Sequence, residues 1–159
     1  MIILGIDPGT TRVGFGVVQY DKSKLSPLAY GVIEPSFKDK ALDMLYVHQE
    51  IQKIIVSHAP TCAGIEKLFF MKNKKTALAV SETKGSILLA LGLAKIPVYE
   101  YTPLQVKQAV SSYGRADKDQ VQKMVKLLLG IKDKIHPDDA ADALAIAICC
   151  AHSIMGNKL

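Results

Sequence analysis

The chain has 159 residues, 49% of them apolar and 22% charged, with a net charge of +5. That length suits one well-packed core and is short for two ordinary domains, so residues 1–159 are expected to form a single domain. Apolar stretches of membrane-spanning length do not run uninterrupted and the first residues lack the pattern of a signal peptide; with Cys62, Cys149 and Cys150 odd in number and outside any CxxC spacing, a membrane protein and a disulfide framework are both excluded, and a cytoplasmic protein with buried thiols is expected.

Three strands are expected first. Ile2 to Asp7 is a continuous apolar run suited to a central strand, and Val13 to Tyr20 and Ala29 to Ile33 follow, separated by the turn-forming Asp21-Lys22-Ser23-Lys24 and Ser26-Pro27. Gly5, Gly9, Gly14 and Gly16 permit close backbone approach and a tight turn at Asp7-Pro8-Gly9. Lys40 to His58 has the apolar spacing of a helix, and Thr61 to Glu66 reads as a fourth strand after Pro60. A lysine-rich loop, Lys67 to Lys75, holds Phe69, Phe70 and Met71. A long helix is predicted over Thr76 to Ala94, and a fifth strand over Pro97 to Tyr101. Thr102-Pro103 opens a helix to about Ser111, with Thr as cap and Pro in the first turn. A basic helix from about Asp117 to Leu129 is ended by Gly130, and a last helix begins near Pro137 and ends before Gly156. Three strands followed by helix–strand alternation imply an α/β fold: a five-stranded mixed sheet with helices on both faces. The C-terminal half of the helix Thr76 to Ala94 is apolar nearly all round, so a second side is buried too, either by neighbouring helices or by a partner subunit.

Four acids stand where burial makes them costly. Asp7 closes the first strand, Glu66 closes the fourth, and Asp139 and Asp142 open an otherwise apolar helix. At about 100° per residue, Asp139, Asp142, Ile146 and Cys149 share one stripe, the one expected to pack on the sheet. Each acid has a plainer reading: Asp7 as a turn former, Glu66 as a strand end, Asp138 and partly Asp139 as partners of the helix dipole. The dipole explains Asp142 poorly. If two adjacent strands end in acids and the helix lays two more over the same sheet edge, the carboxylates converge and repel, and a hard divalent cation is the economical compensation. Two such ions about 4 Å apart stabilise both the attacking water and the leaving oxygen of phosphodiester cleavage. Lysines are grouped at Lys67, Lys72, Lys74 and Lys75, and basic residues again at Lys107, Arg115, Lys118, Lys123 and Lys126. Solvated surface explains such groups as well, but beside an acid set they suit a polyanionic substrate. His136 lies nearest the acids and is read as a loop or surface residue.

The motifs Leu4-Gly5-Ile6-Asp7-Pro8-Gly9, Ile65-Glu66-Lys67-Leu68-Phe69, Gln105-Val106-Lys107-Gln108 and Asp139-Ala140-Ala141-Asp142-Ala143-Leu144-Ala145-Ile146-Ala147 closely resemble the RuvC family of Holliday-junction resolvases, in the family's order and over nearly the whole chain. The resemblance implies an RNase H-like fold and a homodimeric endonuclease that nicks opposing strands of a four-way DNA junction symmetrically, with Mg²⁺ or Mn²⁺ and two ions per site. By position it makes Asp7, Glu66, Asp139 and Asp142 the catalytic and metal-binding quartet, with Asp138 a competitor for the place of Asp139. It assigns Phe69, with Phe70 as rival, to stacking at the junction centre, and Lys72, Lys107 and Lys118 to DNA contact. It favours the helix Thr76 to Ala94 as the dimer element and a branch-migration helicase as partner. Gly5 to Thr11 is also similar to the first phosphate-binding hairpin of actin-like ATPases and sugar kinases, but no second such hairpin is found. The acids alone do not separate a junction nuclease from a related fold acting on structured RNA.

Overall fold

In the computed structural model, which describes residues 1–67, 74–111, 114 and 116–156, the elements follow the expected order. Strands β1 (Ile2–Pro8), β2 (Val13–Asp21) and β3 (Lys24–Ile33) precede helix α1 (Lys40–His58), strand β4 (Cys62–Glu66), helix α2 (Lys74–Leu93) and strand β5 (Val98–Tyr101). Helices α3 (Pro103–Ser111), α4 (Lys118–Leu129) and α5 (Asp138–Gly156) complete the chain. The sheet runs β3-β2-β1-β4-β5, with β1–β2 and β2–β3 antiparallel and β1–β4 and β4–β5 parallel. Two boundaries differ from expectation by more than one residue. β3 begins at Lys24 rather than Ala29, because Pro27 is accommodated at a bulge opposite Val17 and Val18 on an edge strand, where its missing N–H costs no central ladder bond. α2 begins at Lys74 rather than Thr76, lysine being a good helix former.

Strand alternation sorts the side chains between the two faces. Leu4, Ile6, Val13, Val17, Ala63 and Ile65 pack with Val47 and Ile51 of α1 and Ile87 and Leu91 of α2. The residues between them take the other face, where Ile3, Val18 and Cys62 pack with Leu144 and Ile148 of α5, and α3 and α4 close over α5. The same parity sends Asp7 and Glu66 to the α5 face.

α5 can lie close because glycines pave that face. A Cβ on Gly5 would stand 2.1 Å from the Ala143 carbonyl oxygen, and one on Gly14 would stand 2.1 Å from that of Asp139. The helix is therefore seated backbone on backbone, with an unbroken buried run from Ala143 to Ala151. α2 differs: Leu78, Leu89 and Leu93 are 66%, 58% and 65% exposed. Of the two coverings expected for its second side, burial beneath neighbouring helices is not seen among the described residues. By length and composition alone both Thr76–Leu93 and Asp138–Gly156 are apolar enough to cross a bilayer; α5 is instead the core helix of this fold. Cys62, Cys149 and Cys150 are buried free thiols.

Candidate active site

Asp7 and Glu66 leave the C-terminal ends of two hydrogen-bonded parallel strands whose register pairs Ile6 with Ile65. They stand side by side, close enough for each carboxyl to shift the titration of the other. Asp7 also pairs across β1–β2 with Gly14, the residue whose missing side chain admits the Asp139 backbone. The first turn of α5 is thus keyed to the strand position beside Asp7, and Asp142 follows one turn on. The four acids named from the sequence are brought to one end of one sheet face.

Their electrostatics follow from that crowding. Burial, then the charges of Glu66, Asp142 and Asp139, push the Asp7 carboxyl up to about 8. Burial also raises Glu66, with Asp142 adding to the effect and the Asp7 hydrogen bond and Lys84 opposing it. Asp142 is raised by burial and partly relieved by Lys118. The Lys118 ammonium stands 3.3 Å from a carboxylate oxygen of Asp142 and 3.3 Å from one of Asp138. Burial disfavours its charge, but Asp142 and Asp138 outweigh that and hold its pKa above the usual lysine value. A cleft of about 250 Å³ opens here, lined by Asp7, Glu66, Asp142, Lys107, Lys118 and Val121 among others. Acids form its floor and lysines its walls.

A divalent cation can be tested against this arrangement. Among the described residues, no three His, Cys, Asp or Glu side chains stand close enough, as oriented here, to ligate one ion. The donor chemistry nevertheless fits a hard cation: every candidate ligand is a carboxylate, and burial together with the neighbouring acids pushes the Asp7 carboxyl up to about 8, a crowding that a bound cation would relieve.

Asp138 stands at the edge of the cluster, sharing Lys118 with Asp142 and adding to the rise of the Asp142 pKa. It is bound by Gln122 at 3.0 Å and by Lys118, and the Gln122 hydrogen bond followed by Lys118 lowers its pKa. Its charge is not among those that shift Asp7, whereas that of Asp139 is. Asp139 occupies the rim, 4.0 Å from the Arg12 guanidinium, which is ion-paired with Glu34 at 2.5 Å. His136 is exposed in the loop before α5, and His48 and His152 bond backbone carbonyls from within helices. Phe69, Phe70 and Lys72 lie outside the described residues, as does Arg115. Three neighbours of the acids are not singled out by the sequence: Arg12, Gln122 and Lys84, whose ammonium donates to the Glu66 backbone carbonyl at 3.0 Å. Lys84 alone leaves a trace there, as an isolated lysine within an apolar helix.

The family described as "Crossover junction endodeoxyribonuclease RuvC" matches residues 3–150. A protein of that description from Heliobacterium modesticaldum is 48% identical over 155 residues, covering 97% of this chain and 96% of the relative. One from Caldanaerobacter subterraneus is 49% identical over 154 residues, covering 96% and 93%. Among solved structures, T. thermophilus RuvC in complex with a Holliday junction substrate superimposes with a TM-score of 0.92 at 36% identity, covering 98% of this chain and 96% of that one. The yeast mitochondrial Holliday junction resolvase Ydc2, at 15% identity and a TM-score of 0.68, shares the fold.

Proposed function

The chain belongs to the RuvC family of crossover junction endodeoxyribonucleases, and from that premise we propose how its residues divide the work of cutting a junction. It is a Holliday-junction resolvase of RNase H-like fold, a nuclease of DNA recombination and repair. In this reading one domain, residues 1–159, carries the reaction. Asp7, Glu66, Asp139 and Asp142 are the catalytic carboxylates and hold Mg²⁺, with Mn²⁺ able to substitute, at two ions per site. When bound, these ions supply a water activated for attack and a stabilised leaving oxygen.

The protein's own groups do the rest. Asp7, whose carboxyl is pushed up by burial and the neighbouring acids, gives up its proton to become an anionic ligand. Lys118 on α4 and Lys107 on α3 face the acids from the cleft wall, where a phosphodiester backbone meets positive charge before it meets the carboxylates. Lys118 pairs with Asp142 and Asp138, so substrate phosphate competes for a cation that the acids hold in position. Phe69 and Lys72 follow Glu66 closely in sequence, which supports their contacting the junction next to the cut.

Paired symmetric nicks need two such sites related by a two-fold axis, which matches the junction's own symmetry. The exposed leucines of α2 support a homodimer through that helix. A branch-migration helicase as partner rests on family membership alone.

The observation that carries the assignment is the meeting of Asp7 and Glu66, from paired strands, with Asp142 of α5 on one sheet face. Cleavage of a four-way DNA junction, linear duplex DNA and structured RNA by native and Asp7→Asn protein tests it. The expected result is Mg²⁺-dependent cleavage of the junction alone, lost in Asp7→Asn with junction binding kept. An active Asp7→Asn protein removes Asp7 from the mechanism.

A further inference from the structure

Among the described residues Lys84 is the only buried charged side chain, 7% exposed in the middle of α2. Helix α2 packs on the sheet face opposite the acids. From there the Lys84 ammonium reaches past the edge of β4, donates to the backbone carbonyl of Glu66 at 3.0 Å and pairs with the Glu100 carboxylate. Glu100 lies on β5 opposite Ile65, so parity turns it toward α2, while Glu66 lies opposite Tyr101 and turns toward α5. The next backbone amide, that of Lys67, donates to the Tyr101 carbonyl at 2.8 Å. The strand end at residue 66 is thus tied to β5 and to α2, while its side chain lines the cleft beside Asp7.

The anchor is itself rigid. Two residues along, Ser86 Oγ donates to the Met44 carbonyl at 2.7 Å, and the Ser86 carbonyl stands 3.3 Å from His48 Nδ1, fastening α2 to α1. A buried ammonium is costly, and an apolar side chain of similar length would fill the same space at less cost. What the ammonium adds is a fixed position for one carbonyl, at the residue where β4 ends. Ligands of a reactive centre lose much of their effect when displaced by about 1 Å.

We infer that Lys84 is a positioning residue for junction cleavage: its ammonium pins the backbone of Glu66 from the far side of the sheet and so fixes that carboxylate beside Asp7. This rests on the assignment of Glu66 as a metal ligand. The test compares native protein, Lys84→Met, Lys84→Arg and Glu66→Gln in the full chain. Three quantities are measured: Mg²⁺ binding by calorimetry without DNA, the Mg²⁺ dependence of junction cleavage, and junction affinity in EDTA. Lys84→Met is expected to weaken Mg²⁺ binding and raise the Mg²⁺ needed for cleavage about ten-fold, with junction affinity unchanged. Lys84→Arg, which keeps a donor and a charge, restores both. Native Mg²⁺ binding in Lys84→Met overturns the inference, as does a parallel fall of cleavage and junction affinity with the Mg²⁺ requirement unaltered. If Lys84→Met does not fold, Lys84→Gln undergoes the same titrations, and either of those two results in Lys84→Gln overturns the inference. A Glu66→Gln protein that binds Mg²⁺ and cleaves normally removes the Glu66 assignment instead; an inactive Glu66→Gln beside a native-like Lys84→Met removes only the role of Lys84.

Discussion

Helices α5 and α2 are of nearly equal length and similarly apolar, yet they meet opposite fates. α5 is wrapped: glycine-paved strands lie beneath it, α3 and α4 lie over it, and its one costly feature is the pair of acids that it carries to the sheet end. α2 sits on the other face with Ile87 and Leu91 inward and Leu78, Leu89 and Leu93 in solvent. Apolar content alone therefore does not say whether a helix is a core element or a surface awaiting a partner. The decision lies with what the neighbouring backbone admits. On this protein one face is closed and carries the proposed active site, while the other exposes the leucines on which the proposed dimer rests.

Breaking the closed face gives the largest effect. Asp142→Asn is expected to lower junction cleavage by more than about a hundred-fold, measured in single turnover, with dimer formation by sedimentation unaltered. Next comes the paving. Gly5→Ala sets a methyl against the Ala143 carbonyl and is expected to cost about 1–3 kcal/mol or more in urea unfolding, because α5 must lift. On the open face, Leu89→Glu with Leu93→Glu is expected to dissociate the proposed dimer, weakening association by about 2 kcal/mol or more, while the melting temperature of the monomer stays close to native. If those substitutions leave the dimer intact, α2 is not its seat.

A smaller effect concerns protons. The Asp7 carboxyl is raised from 3.8 to about 8, so in the metal-free fold its ionisation costs stability progressively as pH rises through that window. A cation that binds the ionised form must displace this proton. The half-saturating Mg²⁺ concentration measured by calorimetry should therefore fall from pH 6 to pH 8, and the stabilisation given by Mg²⁺ in thermal melts should grow over the same range. Smallest of all, Asp138→Asn should leave cleavage within a few-fold of native, since Asp138 is paired with Gln122 and Lys118 rather than with the acids at Asp7.

Much of this is legible in the sequence. The apolar run ending in Asp7, the short strand ending in Glu66 and the acids on the sheet-facing stripe of the last helix each follow from period and position, and strand parity then sends them to one face. The choice of Asp139 over Asp138 comes from the family motif, and the structure adds that the Asp139 backbone lies over Gly14 while Asp138 is held by Gln122 and Lys118. The early start of β3 is hidden by Pro27, which signals a break unless the strand is known to be an edge. Lys84, Arg12 and Gln122 are hidden for another reason. Their partners are distant in sequence, and local patterning carries no information on a lysine that reaches a backbone carbonyl in another layer.

The backbone seating of α5 on β1 and β2 also bears on when the enzyme becomes dangerous to DNA. In the proposed site, two of the four carboxylates, Asp139 and Asp142, arrive with that helix, whose seat is a main-chain fit along the strands. If those acids do the cutting, a molecule in which α5 is not yet seated would bear every one of them without an assembled site, which ties cleavage to completed folding.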